Sequence, residues 1–216
     1  MRNIAKLPQP KILAEKKAEW TAALLAEPSE TNRHRYRDSE IKTTLLAETN
    51  NKCVYCESKI GHNCPGDIEH KAPKVIRPEL TFQWDNMTIA CNECNRRKSQ
   101  YYDTNCMFLD PNTDDVEGMV KHLGPIVFSR PGDKRSGVTV RILELDSASK
   151  RQALFGRKME RLEYVRHLVE RIASETNSAL KTFLLRELTD SYDVSSEYSG
   201  MIKQYVAVSL NTGFGH

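Results

Sequence analysis

From Pro10 to Ala26 the apolar residues Ile12, Leu13, Trp20, Leu24 and Leu25 recur at near-helical spacing. This pattern predicts an amphipathic helix that Pro10 opens in its first turn and Pro28 stops. A second helix is predicted from Asp38, a ready N-cap, with Ile41, Leu45 and Leu46 as its buried stripe. Between the two, NRHRYR mixes cations with Tyr36 and reads as a solvated linker, a grip on a nucleic-acid backbone or stacking on a base being the alternative. From Cys53 to Cys94 the periodicity breaks down and prolines and glycines become frequent, as in a small module that lacks a large core. Farther on, PIVFSR and GVTVRILEL flank the turn-rich PGDKRSG, and the alternation of Val138, Val140 and Ile142 predicts a strand, hence a β-hairpin. Leu154, Met159, Leu162, Val165, Leu168, Val169 and Ile172 then keep a three-to-four spacing in a charged background, predicting one long helix from Ser147 to about Ile172 or beyond. Trp20 and Trp84 read as core. The chain divides into a helical segment over 1–50, a motif-dense core over 51–115 and a hairpin-and-helix region over 116–216.

The chain's 216 residues, with 39% hydrophobic and 28% charged side chains, suit one soluble unit with appendages. No apolar run approaches the roughly 18 residues of a membrane helix, and MRNIAKLPQPKI lacks the apolar centre of a signal peptide. The expectation is a cytoplasmic protein with no membrane partner. In a reducing compartment the six cysteines are ligands or buried thiols rather than disulfides. A formal charge of +3 permits a polyanionic partner without requiring one.

Cys53 and Cys56 in KCVYCESKI, with Cys91 and Cys94 in ACNECNRRK, supply the four thiolates of a closed, tetrahedral structural zinc site. The 34 residues between the pairs exceed the roughly 15–20 of compact zinc ribbons, so the gap must carry something else. Cys64 and Cys106 stand at no ligand spacing. Inside the gap, GDIEHKAPK sets Glu69 beside His70 on a short strand. The two side chains would point to opposite faces unless the strand ends there. FQWDNMTIAC then puts Asn86 in a turn before a strand over Met87 to Ala90, and the second cysteine pair opens a helix carrying Asn95, Arg96, Arg97 and Lys98.

E-H-x-x-P, followed by W-x-N-M-x-x-A-C-x-x-C-N-x-x-K and bracketed by the C-x-x-C pairs, resembles the HNH endonucleases of the ββα-metal fold over Cys53 to Lys98. The wider arrangement resembles the PtuB-like branch of that family, the HNH components of Septu-type antiphage systems and of some retrons: a helical lead-in, KCVYCES, FLDPNTDD after the core, then a hairpin and a charged helix. The resemblance implies an α+β fold: a small zinc-stabilised ββα-metal HNH core with a helical N-terminal lead-in and a C-terminal β-hairpin plus long helix. It makes His70 the general base, Asn86 the asparagine that steadies the loop, Asn95 the last motif position, and Glu69 the carboxylate that, with Asn95, holds a catalytic Mg²⁺ or Mn²⁺. Two positions depart from the pattern: the final histidine of the motif is Asn95, and the metal carboxylate is a glutamate where many relatives carry aspartate. An amide oxygen also ligates hard cations, and an imidazole with an ordinary pKa near 6.5 is available as a base at cellular pH. Arg96, Arg97 and Lys98 are candidates for contact with a nucleic-acid backbone, against the plainer reading of a solvated helix face.

The function so implied is metal-dependent hydrolysis of DNA by an antiphage effector. Its partner would be a PtuA-like ATPase, or a retron reverse transcriptase and its nucleic acid. No G-x-x-x-x-G-K-[ST] occurs, so ATP chemistry must come from elsewhere. The alternatives are an HNH effector that cleaves RNA such as tRNA, and a zinc-dependent nucleic-acid-binding module without catalysis. His34, His62, His122, His167 and His216 fit no ligand pattern.

Overall fold

The computed structural model describes residues 1–61 and 64–211, so His62 and His216 lie outside the described residues. Chain contacts divide it into two units, one made of Asn3–Tyr55 and Lys59–Asp114, the other of Met1–Arg2, Cys56–Ser58 and the chain from Asp115 onward.

In the first unit α1 (Lys11–Ala26) starts after Pro10, as its sequence predicts. The Glu40 carboxylate accepts from the N–H groups of Lys11 and Ile12 at 2.8 and 3.3 Å, satisfying two orphan donors of the first turn. At the other end the buried Asn32 donates from Nδ2 to the carbonyls of Ala23 and Glu27. Leu13 and Leu24 are buried, Leu25 is exposed, and Trp20 is half-buried with its ring edge-on to Phe82. The expected solvated linker is instead ordered. Ser29 caps α2 (Glu30–His34), a 3₁₀ turn follows over Arg35–Arg37, and Tyr36 is 5% exposed. Asp38 caps α3 (Ser39–Glu48) by accepting from Glu40 N–H at 2.8 Å, and Ile41 and Leu45 are fully buried beneath it.

β1 (Asp67–His70) and β2 (Met87–Ala90) pair antiparallel, with Asp67 opposite Ala90 and His70 opposite Met87. β2 is buried along its whole length, α3 packs against it, and α4 (Asn92–Lys98) follows directly. The expected order of strand, loop, strand and helix is thus present. Gly66 enters β1 at φ +66°, and a Cβ there would lie 2.8 Å from Ile60 Cγ2, so the close approach to Ile60 requires glycine. Trp84 is buried and donates from Nε1 to the Leu7 carbonyl at 2.7 Å.

The second unit holds α5 (Val116–Met119), β3 (Val120–Leu123), β4 (Ile126–Ser129), α6 (Lys134–Ile142), α7 (Gln152–Ser174), α8 (Ser178–Ser191) and α9 (Ser199–Asn211). Here the hairpin expectation needs correcting in position. β4 pairs with the preceding β3 across a turn at Gly124 and Pro125, and the segment containing Val138, Val140 and Ile142 is helical. The same stretch carries a helical stripe, since Ser136, Thr139, Val140 and Leu143 are buried and stand at the i, i+3, i+4 and i+7 positions of one helix face. Asp133 decides between the two patterns by capping α6, accepting from Ser136 N–H at 2.6 Å. The long helix begins later than expected, and its buried side chains are Leu154, Phe155, Lys158, Val165 and Leu168, with Met159 exposed. No helix among the described residues is long and apolar enough to cross a membrane.

Candidate active site

The two C-x-x-C turns meet where β2 ends. Val54 N–H donates to the Ile89 carbonyl at 3.1 Å, which ties the first turn to the strand just before Cys91. Cys91 is the N-cap of α4, its sulfur accepting from Cys94 N–H at 3.5 Å. The sulfurs of Cys53, Cys56, Cys91 and Cys94 lie within 4.8 Å of one another and all four residues are buried. A tetrahedral zinc with bonds of about 2.3 Å needs sulfurs about 3.8 Å apart, so the cluster fits that ion.

With α4 fixed at its start, β1 and α4 face each other in register. Residues two apart on a strand share a face, as do residues three apart on a helix. Asp67 therefore meets Asn95, whose Nδ2 donates to Oδ2 at 3.0 Å, and Glu69 meets Lys98, whose ammonium lies 2.6 Å from Oε1. The Glu69–Lys98 pair is buried on both sides, at 4% and 2% side-chain exposure. Burial pushes the Glu69 carboxyl above the usual range, and Lys98 partly offsets this.

β1 ends at His70, and the backbone there is held from several directions. Lys98 Nζ donates to the His70 carbonyl at 3.0 Å. Lys71 N–H donates to the Asn86 carbonyl, and its ammonium reaches Asp110 Oδ2 at 2.7 Å and Asn112 Oδ1 at 2.9 Å, which gives the FLDPNTDD segment a role in fixing the strand end. The Asn86 side chain clamps Ala72, accepting from its N–H at 2.7 Å and donating to its carbonyl at 3.1 Å, and also donates to Leu80. His70 itself is buried, and its Nε2 lies 2.9 Å from the Thr81 carbonyl. A carbonyl only accepts, so Nε2 carries the proton and Nδ1 keeps its lone pair. Burial, then the nearby Lys74, lowers the His70 pKa to about 3, which keeps the ring neutral.

Residues 53–100 match the HNH endonuclease family. The chain is 26% identical over 167 residues to the Septu protein PtuB of Bacillus thuringiensis, an alignment covering 77% of this chain and 58% of that protein. It is 35% identical over 80 residues to the Septu protein PtuB of Bacillus mycoides (strain KBAB4), covering 31% of this chain and 27% of the relative. The retron Vc95 HNH protein of Vibrio cholerae serotype O1 biovar El Tor is 28% identical over 158 residues, covering 63% and 74% respectively. The chain thus spans little more than half the length of the first of these relatives.

Within the segment that matches that family Glu69, His70 and Asn95 line one cavity of about 490 Å³, together with Asp67. Asn86 acts behind it, on the loop. Asp67, Glu69 and Asn95 offer oxygen donors to that cavity, a set that suits a hard divalent cation, although Glu69 is already shared with Lys98. Asp67 was not among the residues singled out by motif, yet the alternation in DIEH sets it on the Glu69 face. The three candidates for phosphate contact each meet a carboxylate in the structure. Lys98 points inward to Glu69, and Arg96 and Arg97 both engage Glu93, at 2.9 and 2.7 Å.

Proposed function

We propose that this chain is a metal-dependent endonuclease that hydrolyses phosphodiester bonds, with DNA as its polymer. The observation that carries the reading is His70: its Nε2 is committed to Thr81, its ring is neutral, and it lines the same cavity as Asp67, Glu69 and Asn95. His70 Nδ1 takes the proton from a water that attacks the phosphorus. The clamp of Asn86 on Ala72 and the bond to Thr81 hold the imidazole in place during that step, so little reorganisation accompanies it. When bound by Asp67, Glu69 and Asn95, Mg²⁺ or Mn²⁺ supplies charge neutralisation at the phosphate and support for the departing oxygen.

The similarity to proteins named for Septu and retron systems supports a role as an antiphage effector; the proposal adds the cytoplasm as its compartment and a PtuA-like ATPase, or a retron reverse transcriptase and its nucleic acid, as the other component. The site reads a phosphate and not a sugar, so RNA such as tRNA is the second candidate polymer. Supercoiled plasmid and a tRNA pool, each incubated with Mg²⁺ or Mn²⁺ and with wild type or His70→Ala, test the reading. Nicked or linear DNA that depends on metal and on His70 is the expected product, and tRNA fragments under the same controls keep the chemistry and change the target. If neither polymer is cut by wild type with its partner present, a zinc-held binding module replaces the nuclease.

A further inference from the structure

The acidic wall of the cavity faces a cationic one that belongs to no recognised motif. Tyr36 and Arg37 reach it from the 3₁₀ turn after α2, Lys42 from α3 and Lys74 from the loop after β1. Tyr36 is the fixed piece. Its ring is buried edge-on against His70, with centroids 4.7 Å apart at 90°. Its hydroxyl accepts from Lys74 Nζ at 2.5 Å, and the same ammonium lies 3.8 Å from the ring centroid. That contact uses one of three ammonium protons, so Lys74 is held beside His70 with donors to spare. Arg37 is exposed and Lys42 half-buried.

Charge pairing separates these cations from the others near the site. Among the described residues Arg37, Lys42 and Lys74 make no ion pair with any carboxylate, whereas Arg96, Arg97 and Lys98 all do. Three cations without a carboxylate partner on one wall of the cavity attract a polyanion to that wall, while Asp67 and Glu69 supply the acidic wall. Guanidinium and ammonium groups donate strong charge-assisted hydrogen bonds to phosphate oxygens. We infer that Arg37, Lys42 and Lys74 form the wall that grips backbone phosphates of the nucleic-acid strand entering the cavity, with Tyr36 positioning Lys74 next to His70. The inference rests on the nuclease reading for the choice of polyanion. It gives the helical lead-in a direct part in substrate binding and moves the phosphate contacts away from Arg96 and Arg97.

Anisotropy titrations of labelled duplex DNA and labelled tRNA, run over a salt series with the full chain and Mg²⁺ in a His70→Ala background, test this without cutting the probe. Arg37→Ala, Lys42→Ala and Lys74→Ala are each expected to weaken binding about tenfold. Each should also lower the slope of log affinity against log salt by about 1. Arg37→Lys should keep most of the affinity, while Arg96→Ala and Arg97→Ala should stay within about twofold of their parent. The polymer that shows these losses identifies the source of the phosphates. Arg37 and Lys42 lie outside the core, so their variants keep the fold even if Lys74→Ala does not. Unchanged affinity and slope on both polymers for Arg37→Ala and Lys42→Ala overturns the inference. Cleavage by wild type but not by His70→Ala, scored separately, leaves the nuclease reading standing in that case, and its absence removes that reading whatever the binding shows.

Discussion

Glu69 and His70 are neighbours in sequence that burial drives toward the uncharged form by different routes, one toward the acid and the other toward the neutral base. Lys98 holds the balance, because its ammonium meets both the Glu69 carboxylate and the His70 carbonyl. Lys98→Met is therefore expected to lower stability by roughly 3–5 kcal/mol in a urea titration, since it leaves a buried carboxylate without its partner. The double variant Glu69→Leu with Lys98→Met should be more stable than Lys98→Met alone. A double variant no more stable than the single would show that the ion pair is not what matters there. At this scale the motif made Glu69, His70, Asn86 and Asn95 legible, because their spacing is itself the pattern. The inward turn of Lys98 was not read from the basic run NRRK, although its three-residue offset from Asn95 sets both on one helical face. Tyr36 was hidden for a different reason: its burial depends on His70 and Lys74, more than 30 residues away in the chain.

Between elements, β1 and β2 have four residues each, and four buried cysteines whose sulfurs suit a zinc ion gather where β2 runs into α4. The scaffolding role proposed for zinc is that an ion shared by Cys91, the cap of α4, and the other three thiolates fixes the start of that helix against β1. Removing zinc with a chelator is expected to abolish amide protection in β2 and α4 and to lower the thermal midpoint, with neither restored by Mg²⁺. Cys64→Ser and Cys106→Ser should keep the zinc content of wild type, whereas Cys94→Ser should lose it. A zinc-free chain with native protection in α4 would contradict the scaffolding role. The two C-x-x-C turns and the order of the ββα elements could be read from sequence because ligand spacing and turn residues are local. The position of the hairpin could not, because the stretch after Asp133 satisfies both a strand alternation and a helical stripe, and only the cap and the burial of Ser136 and Thr139 choose.

For the molecule as a whole, the second unit adds a titrating group of its own. His122 on β3 has no hydrogen-bond partner for either ring nitrogen among the described residues, and burial, with the Met1 amino group and Lys158 nearby, holds its pKa well below 6.5. The folded chain keeps this ring neutral while the unfolded chain protonates it near 6.5, so its contribution is complete above that pH and is lost as the pH falls below it. His122→Phe is expected to flatten the acid side of the stability profile measured by urea titration between neutral and mildly acidic pH, and an unchanged profile would assign that loss to other groups. Sequence legibility was lowest in this unit, where α8 and α9 carry no chemical motif and their apolar stripes emerge only in packing. The central claim concerns the first unit, and single-turnover cleavage by the zinc-loaded chain with its partner component tests it most directly, comparing wild type, His70→Ala and Asp67→Ala with and without Mg²⁺. The account expects strand scission by wild type only with the metal, and loss of at least about a hundredfold in rate for His70→Ala without loss of nucleic-acid binding. Scission by His70→Ala at the wild-type rate would contradict it.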